Sequence, residues 1–444
     1  MANSYLYRTN GTPTHANKGT VSHWIKRSAI GASTQYGTFA AWNNGGASAD
    51  RGHCNIYDDT IYFYNQQTST VVQTNRKFRD VNGWYHIVIA WDTTQATASN
   101  RVKIYVNGTQ ETSFSTGNYP GQNNTLEFNV SGRRFGVGCV ASGGNAAEFW
   151  DGNISHFAFV DGQQLAPTVF GETDSTSGIW KFKSPTGVTW GNNGFHLKFE
   201  NSGNLGLDSS GNSNNLTVSG DLKQSIDTPS NVYATMNPLA FQGASNIALT
   251  NGNLTATNSS STHRSVFSTL AVSKGKWYFE TKIGSVGAAY PTLGIYNANE
   301  HVPAADYFTV SANGYGYNSN GDIYHNNSAV VSGQATWTTG DVIGVALDVD
   351  NDKVYFHKNG TYINSGNPAG NSGGQSITAD STWYFAGHLK DGGTDPVQHY
   401  NFGNGFFGTT AITSAGSNGN GSLFEYDVPS GFYALNTKNI NTYG

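Results

Sequence analysis

Between Gly340 and Ile363 apolar side chains fall at every second position, Ile343, Val345 and Leu347 in one run and Val354 and Phe356 in the next. A period of two is the repeat of a pleated strand, so each run reads as a strand with one buried face. Asp350-Asn351-Asp352 separates the runs as a polar turn, and Asn359-Gly360 supplies two residues that accept positive φ, as a type I′ hairpin requires. The three pieces form a meander.

The same construction occurs earlier, where Trp84 to Asp92 is one apolar run, a polar loop follows, and Arg101 to Val106 leads into Asn107-Gly108. A second echo links Asp227-Thr228-Pro229-Ser230 through Tyr233-Ala234 to Asp427-Val428-Pro429-Ser430 through Tyr433-Ala434. The chain therefore reads as two β-sandwich units, each closed by a similar tail. Residues 1–172 hold the first unit, with strand-like runs at Tyr5 to Tyr7, Val21 to Ile25, Tyr36 to Trp42 and Thr60 to Tyr64. Residues 173–240 form an ordered bridge with strands at Trp180 to Phe182 and Phe195 to Phe199, standing alone or completing the first sandwich. Residues 241–444 hold the second unit. Gln163 to Phe170 reads as one helical turn, and no long helical pattern occurs, so the fold class is all-β.

Composition agrees with that class and narrows the partners. The 444 residues fit two or three domains, and charged residues make up 12%, about half the usual share of about 25%. Asn, Ser, Thr and 55 Gly fill the difference, as short strands joined by polar turns require, while 13% aromatics argues against disorder. The net charge is −5 without clustered Lys or Arg, which excludes a nucleic-acid groove. No window approaches the ~18 apolar residues of a membrane span. Met1 to Arg8 lacks the sections of a signal peptide, giving the expectation of a cytosolic product or one released by lysis. Cys54 and Cys139 could pair if their strands adjoin, with two buried free thiols the favoured reading in the absence of an export signal, and without a Cys-x-x-Cys pair no zinc site is expected.

Gly83-Trp84-Tyr85-His86-Ile87-Val88, Val102 to Gly108, and Phe149-Trp150-Asp151-Gly152-Asn153-Ile154 resemble the concanavalin A-like jelly roll in its laminin-G-like branch. Lys276 to Ile283, Thr292 to Tyr296, Gly314 to Tyr317, the meander, Trp383 to Ala386 and Asn401 to Gly403 follow the order of a SPRY domain, itself a concanavalin-like sandwich. These resemblances imply two concanavalin A-like β-sandwiches, with the SPRY-like one a protein-binding module. Laminin-G-like relatives include calcium binders, which implies a calcium option near Asp50, Asp58 or Asp92; otherwise no cofactor or metal is expected. The pairing of the two units, joined by Asp227 to Pro238, looks like virion structural proteins of tailed phages of the marine, cyanophage type. That resemblance implies a virion protein assembled in the host cytoplasm, with capsid or tail proteins as partners.

Several motifs have plainer readings. Gly370-Asn371-Ser372-Gly373-Gly374 matches Gly-x-Ser-x-Gly, but a nucleophile elbow needs a following helix, so a loop is expected. Asp348, Asp350 and Asp352 open like a calcium loop, yet Lys353 and Asn359 stand where Gly and Glu are required. A glycosidase needs two carboxylates flanking the scissile bond, and the Glu-x-Asp-x-x-Glu run of jelly-roll glycosidases is absent. Glu127, Glu148, Glu200 and Glu280 stand isolated, with surface or turn roles sufficient for each.

Aromatic residues give a better signal. Tyr315, Tyr317 and Tyr324 fall among Gly and Asn, and Trp337, His388 and Asp391 sit at expected loop positions. Aromatic faces beside Asn, Asp and His suit sugar rings, although core filling accounts for most Trp and Tyr. The expected function is a non-enzymatic, homo-oligomeric virion structural protein, a tail fibre or capsid decoration. These six residues would contact a host-surface glycan or protein. The alternative is a lectin or polysaccharide-active enzyme working off the particle.

Overall fold

The computed structural model describes residues 3–31, 35–47, 49–240, 247–287, 290–299, 307–390, 392–412 and 414–444. The chain divides into two compact units, Met1–Gln224 and Ser225–Gly444.

The first unit contains β1 (Tyr5–Thr9), β2 (Lys18–Arg27), β3 (Gln35–Trp42), β4 (Arg51–Tyr57), β5 (Thr60–Asn65), β6 (Thr70–Thr74), β7 (Trp84–Asp92), β8 (Val102–Val106) and β9 (Thr109–Gln110). It continues with β10 (Phe114–Asn118), β11 (Arg134–Val137), β12 (Val140–Ser142), β13 (Asn145–Ala147), β14 (Gly152–Asp161), β15 (Gly171–Thr173), β16 (Trp180–Phe182), β17 (Phe195–Leu197) and β18 (Thr217–Ser219). One sheet has eight strands in the order β10-β6-β5-β4-β3-β11-β1-β18, the other six in the order β17-β14-β2-β7-β8-β9. Phe39, Phe63 and Phe135 from the first meet Ile89, Trp91 and Phe159 from the second in one core. The alternation read from the sequence explains this: Ile61 and Phe63 enter the core while Tyr62 and Tyr64 face outward.

Residues 173–240 do not form a separate bridge. β17 pairs with β14, β18 pairs with β1, and Phe195, Leu197, Leu205 and Leu216 enter the first core, whereas residues from Ser225 onward belong to the second unit. The expected helical turn is a short 3-10 turn at Pro167–Val169.

The second unit contains β19 (Ile247–Thr250), β20 (Thr255–Asn258), β21 (Arg264–Val272), β22 (Lys276–Ser285), β23 (Thr292–Asn297), β24 (Gly314–Asn318), β25 (Ile323–His325), β26 (Ser328–Val331), β27 (Val342–Asp348) and β28 (Lys353–Lys358). After them come β29 (Thr361–Tyr362), β30 (Gln375–Ser376), β31 (Trp383–Leu389), β32 (Val397–Asn401), β33 (Phe406–Phe407), β34 (Thr410–Ala411), β35 (Tyr433–Ala434) and the helix α1 (Thr437–Tyr443). A nine-stranded sheet runs β19-β20-β32-β22-β27-β28-β29, with β30 on β28 and β35 parallel to β22. A six-stranded sheet runs β21-β31-β23-β24-β25-β26. Ile343, Val345, Leu347, Val354 and Phe356 lie in the core between them, and Asn359 and Gly360 both take positive φ.

Two expectations change here. β27 is buried on both faces, because Phe424, Val428 and Phe432 of the C-terminal segment cover Ala346 and Tyr278 on the sheet's outer side. The two echoed segments both lie in the second unit, paired with each other instead of closing one unit each. Ala234 N–H donates to the Leu435 carbonyl at 3.0 Å and Thr437 N–H to the Val232 carbonyl at 2.9 Å.

Candidate functional site

Four of the residues expected on exposed loops are core residues. Tyr315 and Tyr317 lie on β24 at 5% and 0% exposure, His388 on β31 at 2%, and Trp337 at 3%. Register explains the tyrosines: they pair with Ile295 and Leu293, whose side chains point inward. The neighbouring glycines mark close approach, not a loop, since a Cβ on Gly316 would come within 2.9 Å of Phe308 and Thr309. Tyr317 donates its hydroxyl to the Ala335 carbonyl, and Tyr315 stacks on His325 at 4.0 Å. His388 shares a 2.8 Å ring-to-ring hydrogen bond with His263. Tyr324, on β25, is half-buried. Asp391 lies outside the described residues.

The acidic residues are likewise occupied. Asp348 is fully buried and pairs with Lys276 at 2.9 Å, and Asp350 accepts the Gly275 N–H at 2.8 Å. Asp50 accepts from Asn43 and pairs with Arg133, while Asp92 accepts from Thr94 and Gln95 and pairs with Lys18 at 3.3 Å. Asp58 occupies a positive-φ turn. No group of three or more His, Cys, Asp or Glu is placed to hold a metal ion among the described residues. Cys54 and Cys139 are buried and unbridged, and burial raises both thiols, Cys54 to about 12. Ser372 sits in an exposed turn bridged to Asn367.

Glu280 departs from the expected surface or turn role, while Glu127 lies in a short 3-10 turn. Glu127 is 5% exposed and bonded to Arg133. Glu280 is fully buried on β22, because the C-terminal segment covers that face of the sheet. Its carboxylate accepts N–H groups from Glu425 and Tyr426 and the hydroxyl of Tyr278, all at 2.8 Å. The Tyr278 hydroxyl lies 2.6 Å from His357 Nε2, and Gly360 N–H donates to His357 Nδ1 at 3.1 Å. One proton arrangement satisfies every atom: neutral His357 donates from Nε2 to Tyr278, which donates to Glu280. Burial raises Glu280 to about 7 against the opposing N–H bonds, and burial lowers His357 to about 3. This network is enclosed and pins the C-terminal segment.

A more open constellation lies on the outer face of the eight-stranded sheet. On β4, Cys54 and Ile56 point into the core, so Arg51, His53, Asn55 and Tyr57 point outward. β5 answers with Tyr64 opposite His53 and Tyr62 opposite Asn55. The His53 and Tyr64 rings lie 4.9 Å apart, and Tyr62 and Tyr64 lie 6.0 Å apart and near-parallel. Both tyrosines are half-buried, leaving part of each ring to solvent.

The hairpin β12–β13 packs over β3 and β4 and covers Ala40 and Trp42. After it comes Glu148, exposed and at φ 46°, an uncommon conformation outside glycine that concentrates at functional sites. Its carbonyl accepts the Gly37 N–H at 2.9 Å, and its carboxylate interacts electrostatically with Arg51.

Three buried polar atoms in this row have no hydrogen-bond partner: Arg51 Nε, His53 Nδ1 and Asn55 Oδ1. These three atoms are closed to solvent, so what this face presents to a partner is the part-exposed rings of Tyr62 and Tyr64. Burial, and then the Arg51 charge, lowers His53 to about 3, so it is neutral near pH 7 and offers one donor and one acceptor. Tyr62-x-Tyr64 alternating with Ile61 and Phe63 was the available sequence signal for this face.

The comparisons fit this architecture. Residues 2–169 match the concanavalin A-like lectin/glucanases superfamily in its laminin-G form, and residues 276–366 match the SPRY domain. No curated protein matches the chain. Among solved structures, the SPRY domain of human HERC1 is similar at 16% identity, over 37% of this chain and 96% of that one, with a TM-score of 0.30. The PSpry domain of TRIM65 is similar at 12% identity, over 38% and 89%, with a TM-score of 0.27. A heptameric SAP-like pentraxin from Limulus polyphemus is similar at 17% identity, over 37% and 71%, with a TM-score of 0.28. The chain carries a concanavalin A-like domain of laminin-G type followed by a SPRY domain.

Proposed function

We propose that this is a non-catalytic binding protein whose first unit takes a glycan on the open half of its eight-stranded sheet. The observation that carries this reading is the pair of part-exposed, near-parallel rings of Tyr62 and Tyr64 on the outer face of the sheet. A sugar presents apolar C–H faces and hydroxyl edges, and this surface offers ring faces next to the part-exposed amide of Gln73, which pairs across the strands with Tyr62. Concanavalin A-like and SPRY domains both suggest carbohydrate or protein binding.

Hydrolysis is disfavoured by the residues on this face. The outward positions of β4, β5 and β6 carry no carboxylate, whereas a glycosidase uses two. A glycan array probed with the full chain and with the Tyr62→Ala/Tyr64→Ala variant tests the reading. Binding should fall at least about tenfold in the variant at unchanged melting temperature. Equal binding removes this face from the site. Polysaccharide cleavage by the wild type would overturn the non-catalytic part.

The setting we favour is a tailed-phage particle, where the chain would be displayed on capsid or tail as a homo-oligomer. The support is the pairing of laminin-G-like and SPRY-like units around the segment Asp227 to Pro238. Multiple copies would raise weak glycan contacts to useful avidity. Mass spectrometry of purified particles should find the chain, and its absence from intact virions would exclude this setting.

A further inference from the structure

The outer face of the six-stranded sheet in the first unit is covered by residues 171–190. Val88, Ala90, Ala158 and Val160 form its apolar floor, and Phe170 and Trp190 lie on it. Three rings of the covering segment each rest on a histidine of the sheet. Trp180 meets the edge of His86 with ring centroids 6.0 Å apart, Phe182 lies over His156 at 3.5 Å, and Trp190 lies against His196 at 5.7 Å, all near-parallel. Apart from the β15–β16 hairpin, the segment has no regular structure, and most of its residues are exposed.

His86 is the most constrained of the three. Trp24 stacks on its face at 4.7 Å, Ser22 Oγ lies 2.8 Å from Nε2, and the indole N–H of Trp180 donates to Nδ1 at 2.9 Å. An indole nitrogen can only donate, so this bond requires Nδ1 to be bare. A proton on Nδ1 would set two donors against each other and expel Trp180 from a seat where Gly108 and Gly171 leave room for its ring. His156, at φ 45°, has a buried Nδ1 with no partner, and a proton there would have no acceptor.

We propose that residues 171–190 form an acid-released strap, closed on the sheet only while His86 and its two neighbouring histidines are neutral. The charged groups around them favour release. His23 on β2 and His156 on β14 oppose a charge on His86, Lys198 opposes one on His156 and His196, and Asp208 alone favours His196. Lys103 and Tyr105 project from β8 on this side, while Glu172, Asp174 and Lys181 of the strap pair among themselves.

Burial, the largest cause in each case, lowers His86 to about 3 and His156 and His196 to about 4, from an ordinary value of 6.5. The closed strap is therefore at full stability above pH 6.5 and loses it as the pH falls from there toward about 4. Each histidine exposed on opening steepens the loss by up to about tenfold per pH unit.

Hydrogen exchange on the full chain at pH 7.5 and 4.5, corrected for intrinsic rates, tests this. Amides of residues 171–190 should lose protection at least about tenfold more than those of β2 and β7. Unchanged protection, or loss in step with β2 and β7, overturns the proposal. Trp180→Phe keeps the ring but removes the donor, and should flatten the pH dependence; an unaltered dependence overturns the His86 latch. If that variant does not fold, the wild-type comparison still decides.

Discussion

Glu280 shows how much one side chain can depend on a distant segment. It is the shared acceptor for two part-buried backbone N–H groups and the buried Tyr278 hydroxyl, so Glu280→Ala removes the acceptor of all three. The expected loss of stability in the second unit is on the order of 3 kcal/mol or more, read by urea denaturation. The pH dependence has a definite sign. With the carboxyl held up to about 7 against an ordinary 4.5, the folded state binds a proton that the unfolded chain has released. Stability should rise as the pH falls from about 7 toward 4.5 and decline as the pH rises through 7. Glu280→Gln should flatten that slope, and an unchanged slope would assign it to other groups. The sequence could not show this, because whether the second face of β22 is covered depends on residues 424–432. Alternation names two faces without saying which one water reaches, so Tyr317, expected on an exposed loop, lies in the core, while Tyr62 on an equally alternating strand faces outward.

At the scale of elements, the hairpins were the most legible part. Asn107-Gly108 and Asn359-Gly360 take the positive φ values that their chemistry demands. The β12–β13 hairpin was not legible, since Ser142 to Asn145 reads only as a turn between short, irregular runs. Its seat depends on Gly37, where an added Cβ would lie 2.0 Å from the backbone of Cys139. Gly37→Ala should therefore lift the hairpin from β3, at a cost of about 1–3 kcal/mol in thermal melting. The same change should weaken glycan binding by moving Glu148. A melt indistinguishable from wild type would show that the hairpin does not depend on this contact.

For the molecule as a whole, the two echoed segments suggested one closing tail per unit, and backbone pairing places both in the second. Local motifs carry no information about which copy of a repeat pairs with which. The division at Gln224 and Ser225 has a practical consequence. A fragment ending at residue 172 loses β17, β18, Phe195, Leu197, Leu205 and Leu216. Each buried side chain is worth roughly 1.5–3 kcal/mol, and the four together rival the ~5–15 kcal/mol that holds a domain folded. Residues 1–172 should be insoluble or molten by circular dichroism, and residues 1–224 folded. The reverse result would restore a separate bridge.

The central claim, that glycan binds across β4 and β5, is tested most directly by hydrogen exchange of the full chain with and without the tightest glycan from the array. Slowed exchange over residues 51–65 and 145–148 is the predicted footprint. Protection confined to the second unit, with those stretches unaffected, would contradict it.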